Sequence, residues 1–229
     1  MSYFDNINPE IYSLVSADAK RILELGCGAG ALAEAIRKKC LNLDYYLGIE
    51  IDPTQAKIAE QHTTRTLVRN LDNLGTWIAD SELIEHAPES SFDHIIIGDV
   101  LEHLYDPLNT LKQATKRLHS DGTIIACIPN VQHWSVFFNL IKGSWPTEDQ
   151  GIFDRTHIRW FTLDDMVRLF QDADLQVSNI VPREFPSEQG ISIMEDLEPL
   201  ARNLGIDPDM LIARGQALQF VLVGKRNIE

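Results

Sequence analysis

Residues 21–40 read RILELGCGAGALAEAIRKKC. An apolar run breaks at Gly26, Gly28 and Gly30 and then becomes a helical pattern, with Ala31, Leu32, Ala35 and Ile36 on one face. A strand that turns sharply into a helix satisfies this pattern, because glycine lets the backbone bend where a side chain would obstruct it. The rhythm then repeats. DYYLGIEID is a second strand, with Pro53 where the following helix, TQAKIAEQH, begins. TRTLVRN is a weaker third strand. FDHIIIGDV is a fourth, whose consecutive Ile95, Ile96 and Ile97 imply burial on both faces. Leu104, Leu108, Leu111 and Leu118 recur at helical spacing, and GTIIACIPN is a fifth strand, opened by the turn pair Asp121 and Gly122. Strands alternating with helices predict an α/β fold, with a doubly wound, mostly parallel sheet.

After Asn130 the rhythm breaks. TLDDMVRLFQDA resumes it as a helix, with Thr162 as N-cap and Asp165 in the capping-box position. QVSNIVPREF and ALQFVLVGKR read as two further strands, and ISIMEDLEPLARNLG between them as an added helix. Residues 1–229 therefore read as a single domain with insertions at about 131–160 and 187–215.

The chain carries a net charge of −14. A surface that acidic repels phosphate backbones and anionic headgroups, so no nucleic-acid partner is expected. No stretch approaches the roughly 18 apolar residues that span a bilayer. The start, MSYFDNINPE, lacks the basic and apolar regions of a signal peptide. Cys27, Cys40 and Cys127 have no metal-ligand spacing, and reduced thiols in a cytoplasmic protein account for them.

Gly26-Cys27-Gly28-Ala29-Gly30-Ala31 satisfies the dinucleotide pattern of a glycine turn. Glu24, just before the turn, argues against a pyrophosphate there, because a carboxylate repels it. S-adenosylmethionine carries an ammonium and a sulfonium instead, which an acid favours. Glu50 ends the second strand, where a carboxylate accepts hydrogen bonds from ribose hydroxyls. Asp99 ends the fourth strand. Strands one and four flank the point where strand order reverses, so Asp99, Val100 and Leu101 lie beside the glycine turn.

ILELGCGAG, GIEID and FDHIIIGDVLEHLYDPLNTL resemble the successive motifs of class I S-adenosylmethionine-dependent methyltransferases. The likeness is strong over about residues 20–130. It continues more loosely through PNVQHWS and DRTHIRWFT, which are similar to the branch of ubiquinone-pathway-like and sugar- or glycan-modifying O-methyltransferases. The resemblance implies a seven-stranded sheet with the last strand antiparallel. It implies that Glu24, Gly26 and Gly28 face the methionine end, with Cys27 and Gly30 in the same turn, Glu50 at the ribose and Ile51 packed on adenine. It also implies an acceptor for the adenine amino group after strand three. LVRNLDN offers Asn70 or Asp72 for that place.

Methyl transfer to a hydroxyl requires in-line positioning and removal of a proton. Histidine titrates near neutrality and suits that task, so His103 and His157 are the candidate bases. FDRTHIRWF, residues 153–161, mixes aromatics with Asp154, Arg155 and His157, a costly combination for a plain loop. It reads as part lid and part acceptor pocket, together with His133, Trp134 and Trp160. No metal is expected, because the His, Glu and Asp residues lack a tight ligand spacing. The expected activity is methylation of a hydroxyl on a small metabolite or a sugar or glycan. The alternatives are N-methylation of a small amine or peptide, an NAD-dependent oxidoreductase, and a non-catalytic protein of this fold.

Overall fold

The computed structural model describes residues 7–73 and 81–227. After the helix α1 (Pro9–Leu14), β1 (Arg21–Leu25) leads through the glycine turn into α2 (Ala31–Lys39). Next come β2 (Tyr45–Glu50), α3 (Pro53–Ala59), β3 (Arg65–Val68), α4 (Ser81–His86) and β4 (Phe92–Gly98). A short 3-10 turn (Leu101–His103) precedes α5 (Pro107–Arg117) and β5 (Leu118–Pro129). The remaining elements are α6 (Trp134–Ile141), α7 (Leu163–Gln171), β6 (Leu175–Glu184), α8 (Glu188–Asn203), α9 (Pro208–Gln216) and β7 (Ala217–Arg226).

The seven strands form one sheet in the order β3-β2-β1-β4-β5-β7-β6. β7 runs antiparallel to both β5 and β6, and the other pairings are parallel. This is the Rossmann-like methyltransferase arrangement that the resemblance implied. The isoleucine run behaves as its composition predicts. Ile95 and Ile97 pack with Leu23, Leu25, Leu47 and Ile49 on one face, while Ile96 packs with Ile22, Tyr46 and Ile125 on the other.

Three local expectations change. β5 starts at Leu118, so Asp121 and Gly122 lie inside the strand rather than opening it. Phe92 pairs with Leu118 and His94 with Thr123, and the turn residues are absorbed as an irregularity between those pairs. Leu118 consequently belongs to the strand and not to the helical row of Leu104, Leu108 and Leu111. The segment between β6 and β7 holds two helices where one was expected. Gly205, at φ 70°, ends the first, and Asp207 caps the second, with Pro208 in its first turn. Thr162 and Asp165 form the expected capping box at α7.

Candidate active site

The site is built from the carboxyl ends of β1, β2 and β4, at the β1/β4 junction where strand order reverses. Gly26, Gly28 and Gly30 all have positive φ. At Gly26 a Cβ would also overlap Val100 Cγ2, so the turn and the segment after β4 are packed directly together. Gly26 and Cys27 donate their N–H groups to Ile49 O, at 2.8 and 3.1 Å. Cys27 is buried, and burial pushes its thiol pKa up, so it is not a ready nucleophile.

Glu50 does more than the sequence suggested. Its carboxylate accepts from Gly28 N at 2.8 Å, Ile51 N at 2.8 Å and Asp52 N at 3.0 Å. One side chain thus fixes the glycine turn and the start of the next loop, with acceptor capacity left for a ligand. Ile51, at 63 % exposure, presents an apolar surface beside it. Glu24 is buried and accepts from Tyr46 Oη at 2.6 Å. Burial raises its pKa to about 8, the Tyr46 hydrogen bond opposes this, and Glu50 adds to it.

Asn70 Oδ1 accepts from Asp72 N at 2.9 Å, closing a local turn. Asp72 accepts from Tyr105 N at 2.8 Å, which ties the loop after β3 to the segment after β4. Asp99 has a left-handed φ of 52° and accepts a hydrogen bond from Gln219. Gln219 in turn accepts from Arg183, which pairs with Glu10 at 2.7 Å. Burial raises the Asp99 pKa against that hydrogen bond. The chain of partners behind Asp99 spans distant segments and has no local sequence signal.

Leu101, Glu102 and His103 form the 3-10 turn, with Leu101 and Glu102 buried and His103 half-buried. Ile158 N and Arg159 N both donate to Glu102 O at 3.0 Å, which draws the FDRTHIRWF segment against this turn. His157 and His103 therefore meet edge to face, with ring centroids 4.8 Å apart. His157 Nε2 stands 3.8 Å from Glu102 Oε1. Each imidazole has its Nδ1 against a backbone carbonyl, His103 at Thr156 O and His157 at Ile152 O, both at 3.1 Å. A carbonyl only accepts, so Nδ1 carries the proton in the neutral ring and Nε2 keeps its lone pair. Burial lowers the His157 pKa, which favours that neutral form. The sequence reading did not single out Glu102 as a site residue, although it stands next to His103.

The remaining candidates divide. Phe153 and Phe161 are buried, and Trp160, at 46 % exposure, meets Trp145 edge to face. Arg155 is exposed and paired with Asp149 at 2.5 Å. Burial pushes the Asp154 pKa up, but two hydrogen bonds from Thr156 outweigh it and hold it low. His133 caps α6 and is buried, which lowers its pKa to about 4. Trp134 packs over Gly190 of α8. FDRTHIRWF is thus a packed wall on one side and an exposed charged edge on the other.

Residues 5–180 match the family described as methyltransferase domain. The chain belongs to the methyltransferase domain family. S-adenosylmethionine is the cofactor of this methyltransferase, and Glu50, whose carboxylate keeps acceptor capacity beside the glycine turn, suits its ribose hydroxyls. Among curated relatives, a ubiquinone biosynthesis O-methyltransferase of Vibrio parahaemolyticus is 23 % identical over 203 residues, 86 % of this chain and 79 % of that protein. One from Actinobacillus pleuropneumoniae is 31 % identical over 108 residues, 46 % of this chain and 44 % of that protein. The fold is shared with a methyltransferase of Archaeoglobus fulgidus at TM-score 0.63 and 15 % identity, covering 95 % of this chain and 90 % of that one. Among the described residues no helix of this methyltransferase is long and apolar enough to cross a membrane.

Proposed function

We propose that this methyltransferase acts on a hydroxyl of a small metabolite, or of a sugar or glycan. The observation that carries the reading is the pair of imidazoles, each held with a free Nε2, beside the segment that packs on Gly26. The cofactor supplies a methyl group on a sulfonium, already a good leaving group. The chain has to position the acceptor and take its proton. His103, half-buried, receives that proton at Nε2, and His157 and Glu102 hold its surroundings. The names of the distant relatives support oxygen as the acceptor atom. Trp134 and Trp160 supply apolar surface for the acceptor, and Asp154 and Arg155 a polar edge. Glu24, Gly26, Gly28 and Glu50 take the cofactor, with Ile51 on its adenine.

Mass spectrometry of products tests the reading, with a panel of phenols, sugars and amines offered alongside S-adenosylmethionine. Methylated hydroxyls are expected, and methylation confined to amines would overturn it. His103→Ala should lower kcat by about 10² to 10⁴, His157→Ala should lower it less, and both should leave cofactor affinity within about twofold. Equal losses of cofactor affinity in calorimetry would show instead that the histidines support the fold. Glu50→Ala should weaken cofactor binding at least about tenfold, since it removes charge-assisted bonds to ligand and turn alike. Unchanged affinity would remove Glu50 from the site.

A further inference from the structure

Glu102 is 1 % exposed, and neither carboxylate oxygen has a hydrogen-bond partner among the described residues. A buried acid in that state is costly in either protonation form, since the ion needs donors and the neutral acid needs an acceptor. Its neighbours are two imidazoles whose Nδ1 atoms are committed to backbone carbonyls. This is the arrangement in which a metal-ligating histidine is held, because the carbonyl fixes the tautomer and points the other nitrogen at the ion. One ligand atom from each of Glu102, His103 and His157 lies within 4.8 Å of the others.

We propose that Glu102, His103 and His157 bind a divalent transition-metal cation. Two imidazoles and one carboxylate are a borderline donor set, suited to zinc, cobalt or manganese more than to magnesium or calcium. Donors about 2.1 Å from a tetrahedral ion stand about 3.4 Å apart, so the three have to draw in by about 1.4 Å at most. With three protein ligands the ion keeps open positions, one of which an acceptor hydroxyl can take. With the ion bound, His103 Nε2 is a ligand in place of the base assigned above, and the coordinated hydroxyl, made more acidic by the ion, loses its proton to solvent. That use in catalysis rests on the hydroxyl reading above, whereas occupancy by the ion does not.

The test uses the full chain, stripped with a chelator and titrated with Zn²⁺ by calorimetry and with Co²⁺ by visible absorption, without cofactor or acceptor. One ion per chain is expected, with ligand-field bands for Co²⁺. Glu102→Gln and His157→Ala should each weaken binding at least about tenfold. His119→Ala, an exposed histidine on β5, should bind as the unaltered chain does. Thermal melts check folding, and His103→Ala replaces either variant that does not fold. Absence of stoichiometric binding overturns the proposal, as does binding retained in the site variants or lost equally in His119→Ala. A chain that binds Zn²⁺ yet methylates only amines would defeat the hydroxyl reading and leave the cation site standing.

Discussion

From about pH 5 to about pH 9 the free protein should lose about 4 kcal/mol of stability through Glu24 alone. The folded-state pKa is about 8, against 4.5 for the ordinary group. The sign follows from proton counts. Between the two pKa values the unfolded chain has released the Glu24 proton while the folded chain retains it, so raising the pH favours unfolding. The stabilising preference for the protonated form is complete below the unfolded pKa and is lost as pH rises through the folded one. Glu24→Gln keeps an acceptor for Tyr46 Oη and removes the titration. Denaturant unfolding of both proteins across this range should give a stability difference that grows with pH in favour of the variant. Parallel curves would mean that the Glu24 carboxyl is not held neutral.

Gly26→Val should abolish cofactor binding and destabilise the fold by about 2–5 kcal/mol, combining a left-handed backbone forbidden to a branched residue with overpacking. Residue 26 has φ 74°, and any Cβ there meets Val100. The valine has to displace the segment leading to Glu102 and His103, so turn and acceptor side are disturbed together. Cofactor titration and thermal unfolding of the variant check both halves. Normal binding with unchanged stability would mean that the turn has room the structure does not show.

Much of the fold was legible because it rests on local pattern. Ile95, Ile96 and Ile97 announce a strand covered on both faces, Thr162 and Asp165 announce a helix start, and the glycines announce a turn. Asp121 and Gly122 misled because a turn pair can also be absorbed as an irregularity when the neighbouring strand pairs beyond it. The second helix before β7 was missed although Gly205, Asp207 and Pro208 carry its boundary signals.

By itself the sequence determined the alternating strands and helices, the glycine turn, and the acids at the ends of β1, β2 and β4, since each depends on neighbours along the chain. Only the tertiary structure decided that Glu50 braces Gly28, that Gln219 and Arg183 stand behind Asp99, and that His157 meets His103 over a buried Glu102. Those contacts join residues far apart in sequence through backbone bonds such as Ile158 N to Glu102 O. Spacing along a chain carries no record of which loops a fold will press together, and the desolvation that sets a buried carboxyl's chemistry exists only once they are pressed.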